Sequence, residues 1–365
     1  MRQTFARVNL SAYRNNVRLL KAAMGPDVRL MAVVKADAYG HGLVPVSRAA
    51  QEAGADALAV ALMEEGRALR EAGVTLPILV LAGLSRESTL DAVRLDLTLT
   101  AHTTAHLQAA SEAASRLNKT ADIHLKVDTG MNRIGLKTKA ELRELLTMFD
   151  ALPAIRLTGA FTHFASADQP TSGLTSLQLE RFLELAQPLP PGLCLHASGS
   201  SALITRPDAR LNMVRAGISL YGYPPVATPL PFLPVLSWQA EITHVKEIAA
   251  GETVSYGATL TADRQTRVAT LAVGYGDGYS RLLSNKAQVL VNGRRCRVLG
   301  RVCMDQIMAD VMEAGDVRPG MAATLIGKDG GEFIGADELA GLEGTISYEV
   351  LLSISGRVPR VYTDN

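Results

Sequence analysis

The sequence predicts an α/β protein in which an N-terminal (β/α)8 TIM-type barrel is followed by a mostly β C-terminal domain. Three observations support this fold class. Eight short apolar runs alternate with alanine-rich amphipathic segments over the first two thirds of the chain. A proline-rich stretch, Pro224–Pro234, then interrupts the pattern, and the segment after it alternates polar and apolar residues with a period of two.

The eight apolar runs are near-continuous rather than alternating, as expected for parallel strands that are covered on both faces. The candidate strands are Leu30–Val34, Ala57–Ala61, Pro77–Leu81, Leu97–Thr100, Asp122–Val127, Arg156–Phe161, Leu193–Ala197 and Leu211–Arg215. Helical patterns lie between them, such as Met63–Glu71, where Gly73 is placed to end the helix. Residues 1–232 are therefore predicted to form the barrel.

Residues 233–365 are predicted to form the second domain, because β signals dominate there. The segment 236–243 alternates apolar and polar side chains, which indicates a half-buried strand. Asn292-Gly293 lies between two strand-like runs and is a strong hairpin signal.

Composition narrows the function classes. The 37 basic and 36 acidic side chains of this 365-residue chain nearly cancel, so neither nucleic acid nor an anionic membrane is an expected partner. No apolar stretch approaches the roughly 20 residues that span a bilayer. The three cysteines, Cys194, Cys296 and Cys303, form no CxxC pair, which argues against a disulfide framework or a metal site and favours the cytoplasm.

Chemistry in a barrel gathers at the C-terminal ends of the strands. Lys35 directly follows the first apolar run, and partial desolvation there would lower the pKa of its amine and allow a Schiff base with a carbonyl. A solvated lysine at the start of a loop is the alternative. Ser200 follows the seventh strand and Gly217-Ile218 follow the eighth, where barrels often bind phosphate.

Long motifs along nearly the whole chain resemble those of the alanine racemase family, fold-type III enzymes that depend on pyridoxal phosphate (PLP). The motifs include VVKADAYGHG around Lys35, KVDTGMNR ending at Arg133, HASGS ending at Ser200, VRAGISLYG around Arg215, VSYG around Tyr256 and TISYE around Tyr348. The resemblance implies a head-to-tail homodimer with shared active sites that interconverts L-alanine and D-alanine, which would supply D-alanine for peptidoglycan.

Racemisation removes a proton from one face of the α-carbon and returns one to the other, so two acid/base groups are required. By resemblance, Lys35 holds PLP and serves one face, while Tyr256 of the partner subunit serves the opposite face. Arg215 would face the pyridine nitrogen, and His163 would contact the ring. Tyr39 and Tyr348 would add phenol groups at the phosphate.

The same resemblance implies a role in recognising the substrate carboxylate for Arg133 and the backbone near Met304, with Tyr275 and Arg281 near the entrance. Lys126 matches a lysine that family members often carry as a carbamate, although a solvated lysine is an alternative.

Other functions stay open at this stage. A serine or broad-specificity racemase, a related PLP-dependent decarboxylase and a non-catalytic PLP-binding protein would share many of these motifs. The Tyr256 motif argues against the decarboxylase, and the second domain argues against the carrier.

Overall fold

The computed structural model describes residues 4–169 and 171–364. In chain order, its strands and helices are β1 (Phe5–Asn9), α1 (Leu10–Met24), β2 (Arg29–Val33), α2 (Lys35–Gly40), α3 (Leu43–Glu52), β3 (Ala57–Val60), α4 (Met63–Glu71), β4 (Ile78–Val80), α5 (Arg86–Arg94), β5 (Thr98–Ala101), α6 (Thr104–Leu117), β6 (Ala121–Lys126), α7 (Lys139–Ala151), β7 (Ile155–Phe161), α8 (Leu174–Ala186), β8 (Cys194–His196), α9 (Ser200–Thr205), β9 (Met213–Ala216), β10 (Leu236–Ile248), β11 (Thr253–Val254), β12 (Leu260–Thr261), β13 (Thr266–Leu271), β14 (Gln288–Val291), β15 (Arg294–Leu299), β16 (Ile307–Asp310), β17 (Ala322–Asp329), β18 (Glu332–Ile334), α10 (Ala336–Glu343), α11 (Ser347–Ser353) and β19 (Arg360–Thr363).

These elements divide between two units. The barrel unit comprises residues 13–38 and 43–233, and the β unit comprises the described residues up to Ala12, residues 39–42 and those from Pro234 onward.

The barrel unit is built on eight parallel strands, β2 to β9, which close when β9 pairs with β2. Each predicted strand is present and begins and ends within two residues of its expected bounds. The central strands β3 and β4 are buried along their whole length, so an uninterrupted apolar sequence is what they require. The predicted barrel is therefore confirmed.

The helices around the barrel follow the local signals in the sequence. Helix α4 has the predicted bounds, Met63–Glu71, and Gly73 follows its end with a φ of 79°. Helix α6 ends at Asn118 in the left-handed conformation, which asparagine tolerates better than most residues.

The β unit contains a nine-stranded sheet with the order β18-β17-β14-β15-β16-β13-β10-β1-β19. The alternation predicted for 236–243 is present in β10, where every second residue from Leu236 to Ile242 is buried. Strands β14 and β15 pair across Asn292-Gly293, whose φ angles of 51° and 71° suit a tight hairpin turn. The mostly β second domain is confirmed.

The first strand departs from the predicted division of the chain. Residues 1–232 were assigned to the barrel, but β1 lies in the sheet of the β unit, antiparallel to β10 and parallel to β19. Ala6 and Val8 of β1 are fully buried there. Burial of this short apolar strand between two distant strands explains why the start of the chain belongs to the β unit.

Within the described residues, no helix is both long enough and apolar enough to cross a membrane. Helix α1, which has 15 residues, is the longest of them.

Candidate active site

Lys35 lies two residues after the end of β2, at the C-terminal end of the barrel strands. Burial and the positive charge of Arg133 lower the pKa of its amine, while the carboxylate of Glu65 opposes this shift. A lysine whose pKa is lowered in this way has more of its amine in the neutral, nucleophilic form. Lys35 thus has the environment that a Schiff-base lysine needs.

The residues after Lys35 follow an unusual path. From Ala36 to Tyr39, four consecutive non-glycine residues have φ angles of 52° to 54°, which makes α2 a left-handed turn. Each such residue is strained, so the surroundings must hold it in place. Glu65 does so, since its carboxylate accepts hydrogen bonds from the backbone N–H groups of Ala36 (2.5 Å), Ala61 (2.8 Å) and Leu62 (3.1 Å).

Arg215 lies on β9, and its guanidinium is buried. One terminal nitrogen donates to Nδ1 (2.9 Å) and to the carbonyl (3.1 Å) of His196. The other donates to the carbonyls of Thr162 (2.7 Å) and Ala197 (2.9 Å) and to Nδ1 of His163 (3.1 Å). Burial lowers the pKa of Arg215 to about 9, which still leaves it positively charged at neutral pH. These five bonds fix the plane of the guanidinium.

Three histidines near Arg215 are held neutral. Burial, followed by the charge of Arg215, lowers the pKa of His163 to about 3. Burial lowers the pKa of His124 to about 4, and that of His196 lies well below its usual value for the same reason. A Cβ at position 199 would lie 3.2 Å from Cε1 of His163, so Gly199 lets the backbone pack closely against this ring. His163 therefore presents a neutral, firmly packed ring.

The loops after β8 and β9 meet at Ser200. Its hydroxyl accepts hydrogen bonds from the backbone N–H groups of Gly217 (3.0 Å) and Ser219 (3.4 Å). Ile218 and Ser219 are fully buried, and among the residues that the structure describes the Ser219 hydroxyl has no hydrogen-bond partner. A buried hydroxyl without a partner is costly, so it points to an acceptor such as a phosphate oxygen.

Lys126 is the last residue of β6 and is buried. Its Nζ donates to the carbonyl of Val127 at 2.6 Å. Burial and the charge of Arg215 lower its pKa to about 8, with a smaller contribution from Arg133, while Asp128 opposes the shift. Lys126 is therefore not the solvated lysine that the sequence left as an alternative.

Arg133 ends a loop that Asp128 organises. The Asp128 carboxylate accepts hydrogen bonds from the backbone N–H groups of Gly130 (2.9 Å), Asn132 (3.0 Å) and Arg133 (3.0 Å). Burial would raise the pKa of Asp128, but these donors and Lys126 hold it below its usual value. Asn132 has a φ of 56°, a left-handed conformation that asparagine tolerates better than most residues. The exposed Arg133 side chain is thus carried on a rigid loop.

Tyr39 and Tyr348 lie together in the β unit, with ring centroids 5.8 Å apart. Burial and the neighbouring Tyr348 raise the pKa of Tyr39, so its phenol keeps its proton at neutral pH. The two phenols that the sequence assigned to one phosphate are therefore neighbours.

Tyr256 is 71% exposed and projects from a strained turn of the β unit. Ser255, Gly257 and Ala258 all have positive φ angles, of 69°, 72° and 47°. The Ser255 hydroxyl donates to the carbonyl of Arg301 at 2.7 Å, which anchors the turn. A large aromatic side chain held so far into solvent suggests that another surface receives it.

Tyr275 and Met304 lie beside this turn. The Tyr275 N–H donates to the carbonyl of Cys303 at 3.0 Å, and Cys303 Sγ lies 3.5 Å from Ser255 Oγ. Gly274 permits the close approach, because a Cβ there would lie 2.3 Å from the Cys303 carbonyl oxygen. Tyr275 and Met304 are 43% and 51% exposed. The exposed cluster of the β unit is defined as Tyr256, Tyr275 and Met304, three exposed side chains carried on neighbouring turns.

The predicted site residues thus fall into two groups, and their roles remain predictions. The barrel unit carries Lys35, Lys126, Arg133, His163, Ser200, Arg215, Gly217 and Ile218, and the β unit carries Tyr39, Tyr256, Tyr275, Met304 and Tyr348.

Sequence reasoning assigned no role to several residues that organise the site. Glu65 is an acidic residue in the first turn of a helix that follows a strand, a signal that was available. Asp128 and His196 lay inside motifs already singled out. Ser219 likewise lay inside the VRAGISLYG motif, but no role was assigned to it.

Comparison with known proteins gives consistent matches over the whole chain. A family model described as "Alanine racemase, N-terminal domain" matches residues 8–225, and one described as "Alanine racemase, C-terminal domain" matches residues 235–362. The alanine racemase of Symbiobacterium thermophilum is 47% identical over 369 residues, which cover 99% of this chain and 97% of that protein. Alanine racemase 1 of Bacillus subtilis is 43% identical, with coverage of 100% and 94%.

Solved structures of alanine racemases also match this chain over its whole length. An alanine racemase from Bacillus anthracis with bound L-Ala-P superimposes with a TM-score of 0.93 at 37% identity, covering 100% of this chain and 96% of that one. The biosynthetic alanine racemase of Pseudomonas aeruginosa gives a TM-score of 0.89 at 36% identity, with both chains fully covered.

Proposed function

The chain belongs to the alanine racemase family, and from this premise we propose that Lys35 and Tyr256 are the two acid/base groups with which it interconverts L-alanine and D-alanine. It is an isomerase, and the general role of its family is to supply D-alanine for peptidoglycan. The matched curated relatives give no support to the alternative of a serine racemase or a non-catalytic carrier.

The residues of the barrel unit fit the cofactor of this family, pyridoxal phosphate. Lys35 offers an amine with a lowered pKa, which can hold the cofactor covalently. The buried Ser219 hydroxyl and the neighbouring backbone of Gly217 and Ile218 suit its phosphate. Arg215 offers a fixed positive charge for the ring nitrogen, and His163 a neutral ring for packing.

When bound, PLP supplies an electron sink that makes the α-proton of alanine acidic. Arg215 shapes this property through its charge. Because an arginine keeps its protons, it would donate a hydrogen bond to the ring nitrogen without protonating it. We infer that this moderates the electron sink and limits side reactions.

Lys35 handles the proton on one face of the substrate. In its neutral form, the Nζ amine of Lys35 would accept the α-proton from this face, and in its protonated form it would return a proton to the same face. The lowered pKa raises the share of the amine that is neutral. The strained turn that follows Lys35, held by Glu65, limits how far the backbone under this amine can move.

Tyr256 handles the opposite face through its phenolic oxygen. We propose that it does so in the active site of a partner subunit, in a homodimer with shared sites. Support comes from the exposed cluster of Tyr256, Tyr275 and Met304, since apolar side chains grouped on a surface are typical of an interface.

Arg133 is proposed to bind the substrate carboxylate, with Met304 and Tyr275 of the exposed cluster lining the same site. Lys126 is proposed to carry a carbamate, because a pKa of about 8 leaves part of its amine neutral and able to react with carbon dioxide. The resulting negative charge would pair with the exposed Arg133 guanidinium. We further propose that the enzyme works in the cytoplasm, since Cys194, Cys296 and Cys303 are all free thiols.

The test is to incubate L-alanine or D-alanine in deuterated water with the PLP-reconstituted protein and to separate the products by chiral chromatography with mass detection. Wild type should bring either enantiomer to an equal mixture carrying α-deuterium. Tyr256→Phe should lower inversion by about 10² to 10⁴ fold, the usual contribution of a general acid/base group, while deuterium exchange persists with only one enantiomer. Lys35→Ala should abolish both. Equal inversion by Tyr256→Phe and wild type would exclude the role of Tyr256.

A further inference from the structure

One histidine at the C-terminal end of the barrel strands has no role in the site described above. Strands β5 and β6 pair with Ala101 opposite Leu125, so continuing this register by one residue aligns His102 with Lys126. Lys126 in turn pairs with Phe161 on β7. His102 therefore belongs to the same layer of side chains as the buried lysine.

The ring of His102 is closely surrounded. It contacts the ring of His106 at a centroid distance of 4.6 Å, and its Cε1 lies 3.0 Å from the position of a Cβ on Gly83. Nδ1 of His102 is buried, and in the part of the chain that the structure describes it has no hydrogen-bond partner. His106, by contrast, uses its own Nδ1 in a 2.9 Å hydrogen bond with the Thr103 hydroxyl.

The charges around His102 favour its neutral form. Burial, His106 on α6 and Lys126 on β6 all lower its pKa, so at neutral pH the imidazole can carry one proton as a donor. The neighbouring amine of Lys126 has a pKa of about 8 and is the group that could change its charge. A buried imidazole nitrogen without a hydrogen-bond partner thus lies in the same layer as an amine that acts on it electrostatically and that could gain an anionic group.

We propose that His102 is a positioning residue for the carbamate of Lys126, donating a hydrogen bond from Nδ1 to a carbamate oxygen. This inference rests on the carbamate proposed above. In the reaction, the lone pair of Nζ forms a bond to the carbon of carbon dioxide, and the electrons of one C=O bond move to oxygen. The proton leaving Nζ goes to solvent, so a neutral amine becomes a singly charged anion.

Formation of the carbamate on Lys126 should in turn change the pKa of His102. The ammonium form of Lys126 lowers the pKa of His102, whereas a carbamate at the same place would raise it, because an anion favours the imidazolium. Carbon dioxide should therefore shift the titration of His102 to higher pH.

The experiment is carbon NMR of the PLP-reconstituted protein with ¹³C-bicarbonate, from which the half-saturating bicarbonate concentration is measured. Wild type should show a carbamate signal that Lys126→Met lacks. His102→Leu should raise the half-saturating concentration about tenfold, the effect of losing one hydrogen bond to a charged group. His102→Asn, whose amide can donate from the position of Nδ1, and His244→Leu, which alters an exposed histidine of β10, should stay within about twofold of wild type.

The outcomes separate the two proposals. If wild type shows no signal that depends on Lys126, the carbamate and this inference both fall, and the racemisation test is unaffected. If the signal is present but His102→Leu saturates like wild type, only the role of His102 falls. Should His102→Leu not fold, proton NMR of wild type decides instead, because an unchanged His102 titration with and without bicarbonate would overturn the inference.

Discussion

Among single residues, Arg215 has the widest influence, because its hydrogen bonds determine where two histidines carry their protons. It donates to Nδ1 of both His163 and His196, so each ring carries its proton on Nε2. His196 Nε2 then donates to Nδ1 of His124 at 2.9 Å. A second proton on any of these rings would break a hydrogen bond beside a buried positive charge. These hydrogen bonds and the charge of Arg215 therefore keep the three histidines neutral.

This arrangement predicts a loss of stability in mild acid. The folded-state pKa values are about 3 for His163 and about 4 for His124, against a usual value of 6.5. Below pH 6.5 these histidines bind protons in the unfolded chain but stay neutral in the folded chain. The free energy of unfolding therefore falls with decreasing pH until the folded-state pKa values are reached. Each histidine should contribute up to about 1.4 kcal/mol per pH unit.

Urea unfolding between pH 6.5 and 4.5 measures this slope. We expect His124→Asn to reduce this slope by the contribution of one histidine, whether or not it changes the free energy of unfolding at neutral pH. His244→Asn, at an exposed position, should leave the slope unchanged. An equal slope for wild type and His124→Asn would show that His124 titrates normally in the folded protein.

The sequence allowed prediction of many of these residues but not of their environments. Lys35, Ser200 and Gly217 could be assigned because they follow apolar runs that end at one face of a barrel. The hydrogen bonds of Arg215 could not be predicted, because they join β9 to residues directly after β7 and β8, and the relative placement of these strands depends on barrel closure.

Among the elements, the left-handed turn of α2 is the one under most strain. Glycine adopts such angles freely, yet no glycine occupies positions 36–39, which is why the sequence did not predict this geometry. The eight barrel strands, in contrast, were predictable because each is a local apolar run. Strand β1 was assigned to the wrong unit because its partners lie more than 220 residues away along the chain.

The strain in this turn predicts that it will not accept a branched side chain. Ala36 is exposed with a φ of 53°, so Ala36→Val should cost about 2 kcal/mol through conformation alone. Ala105→Val, at an exposed position in the right-handed helix α6, should cost only about 0.5 kcal/mol. Chemical unfolding of both variants measures the difference, and equal costs would contradict a left-handed turn at Ala36.

At the scale of the whole molecule, the proposed homodimer with shared active sites makes a prediction that single mutants cannot test. Lys35→Ala and Tyr256→Phe should each be inactive as homodimers. In a mixed dimer, one site receives wild-type Lys35 and wild-type Tyr256, and the other receives neither. Co-refolding equal amounts should therefore restore about a quarter of wild-type activity, since about half of the dimers are mixed and each has one intact site.

The measurement is racemase activity before and after mixing, with sedimentation to establish the dimer. Each variant refolded alone is the control. No recovery from the mixture would mean that both groups of a site come from one chain.

The place of β1 in the sheet also has a consequence for protein synthesis. Strand β1 is synthesised before both of its partners, because β10 begins 227 residues after Asn9 and β19 follows later still. At 5 to 20 residues per second, β1 waits about 10 to 45 seconds for its first partner, while each barrel strand can pair as soon as the next one emerges. During that interval its apolar residues need protection, so residues 5–9 of the nascent chain are a natural binding segment for a ribosome-associated chaperone.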